Sequence, residues 1–125
     1  MLFAFDCDGV LVDSEFIASQ VDADMLKEVG YDISAEEVSQ RFAGLTSVVI
    51  HDMIEKEIGR KLPEDFLDRQ REELDRRLAS ELQPVAGAAE MLDIIDGPRC
   101  VCSNSSNHRL QISLTKTALL DRFRP

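Results

Sequence analysis

Apolar and polar positions alternate differently in different parts of the chain, and the change of period predicts the elements. Leu2-Phe3-Ala4-Phe5 is an unbroken apolar run ended by an acid, Asp6, short enough for a strand and too short for a helix. After it the period becomes helical. Ile17, Val21, Met25 and Val29 recur every four residues, with Ser14 as the expected N-cap and Gly30 as the stop. Ser34-Ala35-Glu36-Glu37 reads as a capping box that opens a short helix ending near Phe42. Thr46 caps a third helix with the stripe Val49, Ile50, Met53, Ile54 and Ile58, closed by Gly59. A fourth is predicted from Pro63, with Leu67, Gln70, Leu74, Leu78 and Leu82 on one face and a solvated Glu, Arg and Asp surface on the other.

Gln83-Pro84-Val85-Ala86-Gly87 is a turn-rich joint. A helix over Ala88–Ile95 and a Gly97-Pro98 stop follow, and Arg99–Cys102 reads as a short buried strand. Ser103-Asn104-Ser105-Ser106-Asn107 then leads into a helix with Leu110, Leu114 and Ala118 on one face. The fold class is therefore α/β: a Rossmann-like parallel-sheet core from residues 1–13 and 83–125, with a helical cap, residues 14–82, inserted in the crossover. Such sheets place active residues at the carboxyl ends of their strands, where Asp6 and Ser103 both fall. Ser14 and Gln83-Pro84 are the expected hinge regions.

Asp6-Cys7-Asp8-Gly9 closes the first strand. Residues i and i+2 share a strand face, so the two carboxylates can address one reaction centre, and Gly9 permits a left-handed turn. One acid can attack while the other carries a proton, a division that suits phosphoryl transfer beside a divalent cation. Asp-x-Asp-Gly also occurs in plain turns and in calcium loops. EF-hand spacing fails, because Val10 takes the fifth position and no Glu stands at the twelfth. Hydroxyls and free N–H groups at a helix start, as in residues 103–107, form an anion site or a simple cap.

The string Phe5-Asp6-Cys7-Asp8-Gly9-Val10-Leu11-Val12-Asp13-Ser14-Glu15, with Cys100-Val101-Cys102-Ser103 downstream, resembles the signature of the haloacid-dehalogenase-like hydrolases, in particular the beta-phosphoglucomutase-like and phosphatase branch with a helical cap. The resemblance implies Asp6 as nucleophile and Mg2+ ligand. Asp8 would be the acid and base, also a metal ligand through its carbonyl. Ser103, the Asn104 amide and Gly9 would bind phosphate, and Gly44, Arg41 and Thr46 would be the cap residues nearest substrate. Asp8 argues against dehalogenation, since expelling halide needs no proton donor. The expected function is Mg2+-dependent hydrolysis of a small phosphorylated metabolite, sugar phosphates included, through an aspartyl-phosphate. A phosphomutase is the alternative on the same fold. It is disfavoured because Ala43, Ser47 and Ala18 stand where that mutase carries cationic or histidine side chains.

Two further motifs are implied, a lysine and an acidic pair after later strands. Lys116 lies in the preceding helical stretch and is not assigned to the first. The 125 residues thus read as the N-terminal half of an enzyme, or as a catalytically incompetent unit serving folding or interaction. A net charge of −10 disfavours nucleic acid as partner, and no apolar stretch approaches the ~18 residues of a membrane span. The N-terminus shows no signal peptide, and Cys7, Cys100 and Cys102 form no metal or disulfide pattern. The last two are expected to act as small apolar residues in a reduced cytoplasm. His51 and His108 have no partner spacing, and packing or surface roles are expected of them. The oligomeric state is left open.

Overall fold

The computed structural model describes residues 1–123. In chain order the elements are β1 (Phe3–Phe5), α1 (Ser14–Glu28), α2 (Ala35–Arg41), α3 (Ser47–Ile58), α4 (Phe66–Glu81), α5 (Ala88–Ile94), β2 (Arg99–Val101) and α6 (Asn107–Lys116), then a 3-10 turn at Leu120–Phe123. Arg124 and Pro125, where a next strand is expected to begin, lie outside the described residues. No helix among the described residues is long and apolar enough to cross a membrane.

The chain divides into two compact units, Met1–Ile17 with Asp75–Pro125, and Ala18–Leu74. The division runs inside α1 and α4. In the first unit β1 and β2 pair in parallel, with Phe3 opposite Arg99, Ala4 opposite Cys100 and Phe5 opposite Val101. The two segments expected as hinges are tied to each other: Asp13 N–H donates to the Gln83 carbonyl at 2.9 Å and Val85 N–H to the Leu11 carbonyl at 2.9 Å. Leu11, Val12, Leu78, Leu82, Leu92 and Leu119 are fully buried here. Arg109 Nε donates to Asp75 Oδ1 at 2.8 Å, tying α6 to the last turns of α4. That pair is only about one-fifth exposed, so Asp75 departs from the solvated face expected of α4.

β2 is less buried than its composition predicts. Cys100 and Val101 are half-buried and Cys102 is exposed, because a two-stranded sheet has little face to hide. α6 also ends earlier than expected. Leu119 N–H returns to the Leu114 carbonyl at 2.9 Å, which puts Ala118 at φ +59, exposed and off the helix face.

The second unit is helical throughout. Ser34 and Thr46 accept from Glu37 N–H and Val49 N–H as caps of α2 and α3, and Gly59 ends α3 in the left-handed region. Of the α3 stripe only Ile54 is buried, while Val49 is 43% exposed. α4 begins at Phe66 rather than Pro63. Phe66 N–H donates to the Pro63 carbonyl at 3.0 Å, so the chain first makes a turn.

Candidate active site

Residues 6–12 knot around one carbonyl. The Cys7 carbonyl accepts from the N–H groups of Val10, Leu11 and Val12 at 3.2, 2.9 and 3.1 Å, and Gly9 N–H donates to the Val12 carbonyl at 2.9 Å. Cys7 is fully buried inside the knot. Burial, then the charges of Asp8 and Asp6, pushes its thiol up to about 12, which makes it a packing residue. Gly9 sits at φ +76, where other residues are strained. Its N–H is spent on Val12, so that group offers no free donor for the phosphate-binding role expected of Gly9. The Asp8–Val12 bridge uses the Cys7 carbonyl and Gly9 N–H, leaving the Asp8 carbonyl outside it.

The two acids sit in contrasting environments. Asp6 is exposed, and its Oδ1 accepts from Cys7 N–H at 2.8 Å. Asp8 is half-buried with both oxygens engaged: Ser14 Oγ donates to Oδ1 at 2.7 Å and Ser105 Oγ to Oδ2 at 2.6 Å. Ser14 is thus no N-cap. It is the first residue of α1, and its hydroxyl turns to Asp8 instead of to the helix.

Ser105 is the residue that sequence reasoning missed. Nothing in Ser-Asn-Ser-Ser distinguishes its hydroxyls, and the partner lies 97 residues away. Ser103 Oγ accepts from Ser105 N–H at 3.1 Å, which leaves its own O–H free to donate. Asn104 is exposed, and its N–H has no acceptor among the described residues. Ser106 caps α6 by accepting from Arg109 N–H at 3.2 Å. Cys102 N–H donates to the Phe5 carbonyl at 2.8 Å, locking together the carboxyl ends from which Asp6 and Ser103 emerge.

The expected cap residues lie in the second unit. Arg41 donates to Glu57 and to the Tyr31 hydroxyl, and its guanidinium lies 5.0 Å from the centre of the Phe42 ring. Glu57 and Tyr31 hold that guanidinium's pKa up, Glu57 most. Gly44, at φ +77, has open space where a side chain would be, and Thr46 is spent as the α3 cap. His51 packs on Phe66 with ring centres 5.8 Å apart and lies 3.6 Å from Glu55. His108 and Lys116 are exposed on α6.

Hard oxygen donors at the β1 end suit Mg2+: the Asp6 carboxylate, bonded among the described residues to Cys7 N–H alone, and the Asp8 carbonyl, which accepts no backbone hydrogen bond among them.

Known proteins share this arrangement of elements. The chain is 39% identical over 120 residues to the 6-phosphogluconate phosphatase of Escherichia coli (strain K12), an alignment covering 95% of this chain and 54% of that one. A conserved haloacid dehalogenase-like protein of unknown function from Agrobacterium tumefaciens str. C58 superposes with a TM-score of 0.89 at 47% identity, over 99% of this chain and 56% of its own. A family hydrolase from Deinococcus radiodurans R1, solved with bound phosphate and sodium, gives 0.77 at 28% identity, over 98% and 55%. The chain therefore spans about half the length of these relatives. Residues 3–124 match the family Haloacid dehalogenase-like hydrolase, and the chain belongs to that family.

Proposed function

We propose that these residues carry the nucleophile and the proton-transfer half of a Mg2+-dependent phosphomonoesterase acting on a small phosphorylated metabolite. The observation that carries the reading is the Asp8 carboxylate, held at both oxygens by neutral hydroxyls and two residues from the exposed Asp6. In this reading Asp6 attacks phosphorus, the ester P–O bond breaks, and Asp8 gives its proton to the departing alkoxide. Asp8 then takes a proton from a water molecule, which attacks the phospho-Asp6 and releases inorganic phosphate. A serine hydroxyl both donates and accepts, so Ser14 and Ser105 can follow Asp8 through both protonation states. The free Ser103 O–H and Asn104 N–H would hold the non-bridging oxygens. Asp6 and the Asp8 carbonyl would hold Mg2+, which when bound neutralises charge on the phosphoryl group.

The relative that hydrolyses 6-phosphogluconate makes phosphorylated sugars and sugar acids the first substrate class to test. The mutase alternative gains no support from Arg41, whose charge Glu57 cancels. Residues 14–82 would be the cap that encloses the reaction. The lysine and acidic pair that complete such sites are not identified within this chain, and we assign turnover to a parent protein of the relatives' length. The test is phosphate release from a panel of sugar phosphates by that protein, with and without Mg2+. Release that stops with a chelator and in Asp6→Asn supports the reading; wild-type rates in Asp6→Asn would end it.

A further inference from the structure

His51, Asp52 and Glu55 of α3 offer one ligating atom each, all within 4.8 Å of one another. His51 Nδ1 lies 3.7 Å from Asp52 Oδ1 and 3.6 Å from Glu55 Oε1. Both separations are too long for a hydrogen bond, which holds nitrogen and oxygen about 2.7–3.2 Å apart. They approach the spacing of two ligands on one tetrahedral ion. Zinc bonds of about 2.0–2.2 Å place nitrogen and oxygen about 3.3–3.5 Å apart.

Two of the donors are held from behind. Leu62 N–H donates to Glu55 Oε2 at 2.8 Å, which fixes the carboxylate with Oε1 towards the imidazole. That bond, before any other cause, keeps the Glu55 carboxyl below its ordinary range, so it is an anion at neutral pH. The His51 ring is set against Phe66, with ring centres 5.8 Å apart. His51 and Glu55 are largely covered, with side chains 17% and 11% exposed, while Asp52 meets solvent. α3, Leu62 and Phe66 all belong to the second unit, so the arrangement owes nothing to the sheet. The competing cation is Lys61, whose Nζ lies 3.4 Å from Glu55 Oε1. Its side chain is 90% exposed and can swing away without losing packing.

The geometry points to a binding site on α3 for a divalent cation of the zinc class, with His51 Nδ1, Asp52 and Glu55 as its protein ligands. An imidazole beside two carboxylates favours such an ion over Mg2+, which prefers an all-oxygen set and keeps several waters. Three protein ligands leave a tetrahedral position for water. Asp6 and Asp8, the ligands proposed for Mg2+, belong to the first unit, so the two ions do not compete for donors.

The experiment uses the parent protein of the relatives' length. Zn2+ alone is titrated into it by calorimetry, with Mg2+ in excess to fill the oxygen sites. Binding should weaken at least about tenfold in His51→Gln and in Asp52→Asn, since losing even an outer-shell partner costs that much. Asp52 is exposed, so Asp52→Asn reports on the site even where His51→Gln disturbs the contact with Phe66. Asp6→Asn should bind Zn2+ as wild type does. Lys61→Ala should bind it up to about fivefold more tightly, the worth of an exposed ion pair. A parent protein that takes up no Zn2+, or wild-type affinity in both α3 variants, overturns the site. Loss of binding in Asp6→Asn overturns it too, by placing the ion at the β1 end.

Discussion

Asp8 and Arg41 are each gripped by two side chains from other segments, Ser14 and Ser105 in one case and Glu57 and Tyr31 in the other. The grips differ in charge. Two neutral hydroxyls orient Asp8 and bring no opposite charge to it. A carboxylate cancels Arg41, and Tyr31 O–H donates to the same Glu57 at 2.9 Å, closing the network on itself. The surroundings follow suit. Beside Asp8 stand an exposed carboxylate, a free hydroxyl and an N–H with no described acceptor. Around Arg41 every partner is already engaged. In the proposed reading, polar residues of similar type thus serve chemistry in one unit and cohesion in the other, and the number of unspent valences separates the two.

The largest test of that contrast removes the acids. Asp6→Asn should lose phosphate release altogether, and Asp8→Asn should lose about 10²–10⁴-fold in steady-state assays. Ser105→Ala comes next, with kcat falling about 10- to 100-fold and KM little changed, because the acid is misplaced while phosphate contacts remain. Ser105→Thr keeps the hydroxyl and should recover most of the rate. The loss should be greater for alkyl phosphates than for an aryl ester whose phenolate departs without a proton; equal losses would remove Ser105 from proton transfer.

The helix caps offer a matched pair, one in each unit. Thr46→Ala and Ser106→Ala should each cost about 1 kcal/mol in urea titrations. Only Ser106→Ala should also slow turnover, since α6 follows the Ser103–Ser105 loop. A smaller effect belongs to Asp22, whose carboxyl burial pushes above its ordinary 3.8 against the Gln70 hydrogen bond. A raised carboxyl contributes stability that is full below the unfolded value and lost as pH rises through the folded one. Asp22→Asn should therefore be more stable than wild type at pH 7, with the gap closing in acid below 3.8. Smallest is Arg41→Ala, expected to keep kcat/KM within about twofold and to lower Tm slightly, less so in high salt. A large kinetic loss there would move Arg41 into the site.

Local signals in the chain were read well where their physics is local. The i, i+4 stripe of α1 buries Ile17, Val21 and Met25, and Ser34, Thr46 and Gly59 end their helices as their chemistry requires. The parallel pairing of β1 with β2 followed from strand, insertion and strand. Reading failed where a signal had two outlets. Ser14 can cap or turn away, and it turned to Asp8. Pro63 can open a helix or a turn, and it made the turn.

By itself the sequence determined the helices, the caps at Ser34, Thr46 and Gly59, the two strands and the pair of carboxylates at a strand end, because each depends on forces acting within a turn or two of chain. Only the tertiary structure decided which serine reaches Asp8, that Glu57 cancels Arg41, that Gly9 spends its N–H on Val12, and that Cys102 faces solvent beside Cys100. Two of those outcomes join residues far apart in the chain, and the other two depend on how a loop closes or how much of a strand stays covered. A hydrogen bond or an ion pair is settled by where the backbone brings its atoms, to within a few tenths of an ångström.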